Sequence, residues 1–205
     1  MNAFIFDKKS YFCPGKMNVM YKTIIVRIFG LISSPRATWI CIEKENKEVK
    51  DVQNGFFYPL VLIVTVGTVV GVFWNYNDFA LDQMLKKTII VLTSAFAGYF
   101  ISVIVLNEII ASRLFNMEKQ YAASVRIIAY SSSIMLCVST IVAIIPDLFI
   151  LYVLNFYTAY IIWEGSGIIF KGLEENRKGI FTTICFILLY VSPYLIKKLM
   201  YAMMK

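Results

Sequence analysis

Apolar residues run without a charge over 55–74, 88–107, 127–146, 148–163 and 179–196, and polar residues are gathered between these runs. A helix needs about 20 mostly apolar residues to cross a hydrocarbon core of roughly 30 Å. Only helices and closed barrels satisfy the backbone in lipid, and barrel strands alternate polar and apolar residues where these runs do not. The pattern therefore predicts an all-α, polytopic transmembrane bundle of about five spans, with 148–163 the shortest. Ahead of the first span, Ile24, Ile25, Ile28, Phe29, Leu31 and Ile32 recur at helical spacing, with Lys22 and Arg27 among them. This predicts an N-terminal amphipathic helix lying in the membrane surface over Met20–Ile32. Ser33-Ser34-Pro35 interrupts it, with Ser34 placed to cap a second short helix and Pro35 suited to its first position. Trp39 on that helix is expected at the headgroup level, and Glu43–Asp51 (EKENKEVKD) reads as a solvated connector into the first span.

Composition agrees, with 59% hydrophobic residues and a mean hydropathy of +0.70. The spans leave two regions, a cytoplasmic or interfacial segment 1–51 and a membrane domain 52–205. The net charge of +7 raises the question of nucleic acid, but the basic residues lie at membrane borders and form no stripe interleaved with aromatics, so no nucleic-acid partner is expected. Their distribution instead sets orientation. Nine of the 20 Lys and Arg precede the first span and three more lie in each of the second and fourth loops; the opposite side has two, none and three. The positive-inside tendency then puts the N-terminus in the cytoplasm and, with five spans, the C-terminus outside. Lys197, Lys198 and Lys205 in the tail run against that count. The first 16 residues lack the apolar core of a secretory signal, and MNVMYKTIIVRIFGLI from Met17 is a more natural opening. Residues 1–16 are therefore expected to be an upstream extension, which N-terminal peptide sequencing beginning at Asn2 would refute.

Chemistry is sparsely supplied. The chain has no histidine, hence none of the commonest general base and metal ligand, and none of the GxSxG, HExxH or P-loop patterns. Catalysis, cofactor and metal binding are not expected. The four cysteines, Cys13, Cys41, Cys137 and Cys185, are too scattered to support a disulfide framework or a CxxC site. Small residues mark helix contacts: Gly67 with Gly71, and Ser94 with Gly98, at the spacing that lets backbones approach. Packing within the chain is the simpler expectation, a dimer seam the other. Ser131, Ser132, Ser133, Ser139 and Thr140 give the third span hydroxyls that can bond backbone carbonyls of their own or a neighbouring helix. The sharpest lead is charge at membrane depth. Counted in from the loop ends, Glu108, Arg126 and Glu164 reach one level and are candidates for a buried polar network beneath the Trp39 helix. The other reading is that each reaches the headgroups separately.

Ser34-Pro35-Arg36-Ala37-Thr38-Trp39 before five closely spaced spans, the Tyr130-Ser131-Ser132-Ser133 patch in span three, and Tyr157, Tyr160, Gly165 and Gly167 in span four together resemble bacterial members of the Yip (Ypt-interacting protein) family. The resemblance covers roughly 20–200; Pro35, Trp39, Tyr130, Tyr157 and Gly165 from its motifs, with Gly67 and Gly71 from the small-residue spacing, are the interface or anchor candidates. It implies a helical protein of the bacterial cytoplasmic membrane with a cytoplasmic N-terminus. Eukaryotic relatives act in vesicle trafficking and bind Rab-type GTPases, but their acidic Asp-Leu-Tyr-Gly-Pro segment is absent here, and Ile134 stands where the family often has Pro. The implied function is thus a non-catalytic scaffold, assembly or trafficking-type factor, with the bilayer, other membrane proteins or a second copy of itself as partners. The alternative is a small-solute or ion transporter or channel component, with Glu108, Arg126 and Glu164 as its polar path.

Overall fold

The computed structural model describes residues 20–75, 81–108, 114–115, 118–170 and 172–204. The expected extension at 1–16 and Cys13 lie outside the described residues. Among those residues the chain is helical, without strands. The order is α1 (Met20–Ser33), α2 (Pro35–Glu45), α3 (Val49–Val52), a π-helical turn (Gln53–Phe57), α4 (Tyr58–Asn75), α5 (Leu81–Val105), α6 (Tyr121–Ile144), a 3-10 stretch (Pro146–Phe156), α7 (Tyr157–Ile169), a 3-10 turn (Glu175–Arg177) and α8 (Lys178–Met203).

Five helical segments are long and apolar enough to cross a bilayer: Val49–Asn75, Leu81–Glu108, Tyr121–Ile144, Pro146–Ile169 and Glu175–Met203. Each contains one of the predicted runs or nearly all of it, and each extends past it because a charged residue near a helix end does not stop the helix; its long side chain can reach the headgroups. The fifth gains the most residues, and the fourth changes most in character. Its first half, Pro146–Phe156, is 3-10 helical with a kink at Leu148, and that conformation rises about 2.0 Å per residue against 1.5 Å in an α-helix. Beyond the kink, 149–169 reaches roughly 35 Å on those rises, enough to cross a bilayer core.

Helix α6 is the axis of the bundle. Every residue from Ala123 to Ile134 on it is buried, an all-round burial expected only of a helix enclosed by others. Three of its hydroxyls bond their own backbone: Ser132 to the Ala129 carbonyl at 2.9 Å, Ser133 to Tyr130 at 2.7 Å and Thr140 to Leu136 at 2.8 Å. Helix α4 packs along it through the Gly67/Gly71 pair. A methyl group on Gly67 would lie 2.6 Å from Thr140 Cγ2, and one on Gly71 would collide with the Ala143 carbonyl oxygen. The small-residue motif is therefore a contact within the chain. Gly98 of α5 likewise faces the backbone of Pro193 in α8, 2.8 Å from an added methyl, and Ser102 and Ser192 share a hydrogen bond of 2.6 Å across the same contact.

The N-terminal segment is not separate from this core. Ile24, Leu31, Trp39, Ile42 and Val52 belong to the same buried cluster as α4, α6, α7 and α8. The stretch expected to be a solvated connector is divided: Glu43–Glu45 end α2, and Val49–Val52 continues through the π turn into α4. Among the described residues, Cys137 and Cys185 are free thiols.

Candidate functional site

The residues flagged before the first span converge where α1 and α2 meet the beginning of α6 and the body of α7. Pro35 opens α2 at its first turn and is buried, a position where its missing N–H is not needed. Ser34 stands at the N-cap but makes no side-chain cap bond. Instead its carbonyl accepts the Thr38 amide at 3.1 Å and the Thr38 hydroxyl at 3.0 Å.

Trp39, expected at the headgroup level, is fully buried, 0% exposed, so its ring packs inside the protein. Two features of α7 account for this. The indole N–H donates to the Ile161 carbonyl at 3.0 Å, satisfying the one polar group that would otherwise favour water. Gly165, one turn on, presents no side chain, and a methyl there would strike the Trp39 ring. Tyr130 of α6 meets the indole edge-on with centroids 5.9 Å apart, and Phe56 from the π turn tilts against Tyr130 at 4.5 Å. At the other end of the hairpin Tyr157 donates to the Ile32 carbonyl at 2.7 Å. Five of the flagged anchors, Pro35, Trp39, Tyr130, Tyr157 and Gly165, thus serve one seat for the α1–α2 hairpin.

The proposed triad of charges does not assemble. Arg126, nine-tenths buried, turns toward the end of α2: it donates to Glu43 at 3.2 Å, Asn46 Oδ1 at 2.6 Å and the Lys47 carbonyl at 3.0 Å. Glu108 bonds Asn107 at 2.8 Å and pairs with Lys119. Glu164 makes no hydrogen bond or ion pair among the described residues. A common level along the spans is a matter of depth only, and Arg126 and Glu108 find different partners.

A second arginine was missed. Arg27 is 2% exposed and pairs with Glu45, which also has Lys47 at 3.3 Å. Its signal was in the sequence, because Ile24, Arg27 and Leu31 fall on one stripe of α1 and that stripe is the buried one. The opposite stripe, Ile25, Phe29 and Ile32, is exposed. The glutamates were set aside as part of a charged connector, yet α2 ends with both facing an arginine. Asn46, in the left-handed region with φ 41°, stops the helix as Asn can at this position and aims its amide at Arg126. The outcome is a clasp of two arginines, from α1 and α6, on two glutamates of α2. It supplies cohesion; among the described residues no three His, Cys, Asp or Glu gather as a metal site.

Five long apolar spans and a hairpin fastened into their core define a polytopic α-helical integral membrane protein. The family model of the Yip1 domain matches residues 29–196, from the middle of α1 to the last turns of α8, and the chain belongs to that family. Neither a curated protein nor a solved structure matches it.

Proposed function

We propose that this protein is a non-catalytic membrane scaffold or assembly factor of the trafficking type, acting through contacts with other membrane proteins or a second copy of itself. The reading includes a place in the bacterial cytoplasmic membrane with the N-terminus inside. The observation that supports it is the fastening of the hairpin. Trp39 and the two Arg–Glu pairs hold α1 and α2 rigidly, and the held surface displays Ile25, Phe29 and Ile32, 55%, 68% and 47% exposed. A rigid apolar ridge beside a membrane lowers the conformational cost of docking another helix.

The test is gentle isolation of the full chain from native membranes, comparing the wild type with Ile25→Ser/Phe29→Ser. Those two side chains point away from the core, so the variant retains the clasp. A specific partner that co-purifies with the wild type and is lost from the variant is the expected result. Recovery of the wild-type chain alone, or of the same companions with both proteins, would overturn the reading.

A further inference from the structure

At the end of the bundle away from the clasp, a cleft of about 630 Å³ lies between α4, α5, α6, the 3-10 stretch and α8. This is within the about 300–1,000 Å³ of ordinary ligand sites. Two helices bring polar side chains to it by their spacing. Tyr190, Tyr194, Lys197 and Tyr201 recur every three or four residues, which aligns them on one face of α8. Tyr152 and Asn155 are three apart, and at that spacing residues of a 3-10 helix eclipse each other. Ser139 of α6 joins them, with Val64, Val91, Val142 and Val191 as apolar wall between. Polar side chains inside spans are costly unless they pair or line a cavity, so their gathering on one cleft marks it as a site.

What these groups can hold depends on which are already engaged. Thr68 donates to the Val64 carbonyl at 2.9 Å, Ser94 to Val91 at 3.0 Å and Tyr190 to Asn155 at 3.2 Å, and Lys87 is engaged within the protein too. The hydroxyls of Ser139, Tyr152, Tyr194 and Tyr201 make no hydrogen bond among the described residues. Asn155 Oδ1 is buried without a donor, and the broad terminal torsion of an Asn side chain lets its oxygen or its nitrogen turn to the cleft. The described residues of the lining include no carboxylate.

Hydroxyls and carboxamides both donate and accept, and a matching ligand does the same. An ionised phosphate has only acceptors and leaves Asn155 Oδ1 unmet. An ammonium group has only donors, and here it meets the like charge of Lys197 with no lining carboxylate to offset it. Ligand hydroxyls satisfy both kinds of partner. Tyr194 and Tyr201, 62% and 48% exposed, add ring faces whose negative quadrupole suits the C–H face of a sugar ring. We propose that this cleft binds a neutral polyhydroxylated ring, a hexose that is either free or the head of a glycolipid, packed on Tyr194 and bonded through its hydroxyls to Asn155, Ser139 and Tyr152.

The test uses the purified full chain in a polyoxyethylene detergent, which has no sugar head. Glucosyl diacylglycerol, the matching diacylglycerol and phosphatidylglycerol are titrated and read by native mass spectrometry, and glucose by calorimetry. The expected result is a glucosyl ligand held equally by the wild type and by Tyr160→Phe, which lies outside the cleft, and weakened roughly tenfold in Asn155→Leu. Glucose that binds and displaces the lipid identifies a free sugar as the ligand; lipid binding that glucose does not disturb identifies a lipid head. Failure of both to bind the wild type would overturn the proposal, as would equal retention of diacylglycerol or phosphatidylglycerol, or undiminished binding by Asn155→Leu. Should that variant not fold, Tyr194→Leu on the exposed side of α8 carries the same comparison, with a loss of several-fold expected and equal binding overturning the site.

Discussion

Arg126 and Glu43 meet across 83 positions of sequence, and their exposures are unequal: the arginine side chain is 8% exposed and the glutamate 31%. Removing Glu43 leaves a buried guanidinium with Asn46 and Lys47 as its remaining partners, a loss of about 1–3 kcal/mol. Removing Arg126 relaxes a half-wet glutamate and opens a gap at the start of α6. The combination Glu43→Ala/Arg126→Ala should therefore be less destabilising than the sum of the single changes, measured by thermal unfolding of the purified protein. Arg126→Ala with Glu164→Ala should instead be additive, as residues without shared partners are. An equal coupling in both cycles would mean that Arg126 answers to the bundle's charge as a whole rather than to Glu43. The candidates themselves were legible in sequence because charge and aromatic rings at membrane borders are conspicuous. Their partners were not, since Trp39 and Ile161 lie 122 positions apart and a long-range pairing leaves no local spacing to read. Arg27 is the instructive exception, as a charge on the inner stripe of an amphipathic helix needs a buried partner, and only Glu43 to Glu48 could supply one nearby.

Elements as a class were read from hydrophobic length, and the five spans match that reading because lipid leaves the backbone no other option. What length does not show is which faces touch. Gly67, Gly71 and Gly55 all lie in the first span, yet they differ in what surrounds them: Gly71 is against the Ala143 carbonyl of α6, and Gly55 has nothing within 4 Å of an added methyl. Gly71→Ala must therefore move one helix backbone off another and should destabilise by about 1–3 kcal/mol. Gly55→Ala should be neutral or stabilising by about 0.4–1 kcal/mol through the unfolded chain's lost freedom. Thermal unfolding midpoints in one detergent compare the two; a larger loss at Gly55 would show that the π turn, not the α4–α6 contact, requires the glycine. The fourth span shows the other limit of length. Its apolar run reads as short because Glu164 ends it, but the helix continues to Ile169 and the 3-10 stretch lengthens its start.

For the molecule as a whole, orientation is where sequence and structure meet most directly. The clasp concentrates Arg27, Arg126 and Lys47 with their glutamates at one end, and the loops on that side hold most of the remaining basic residues. The tail lysines, Lys197, Lys198 and Lys205, weigh against this count, so the expected cytoplasmic N-terminus rests on the loops. A green fluorescent protein fused to the N-terminus should then be bright, and alkaline phosphatase fused after Lys205 active, because the first matures inside and the second only outside. Active phosphatase at the C-terminus requires an odd number of crossings, so it tests the fourth span at the same time. Phosphatase silent after Lys205 but active after Ile145 would mean that 146–169 turns back within the membrane.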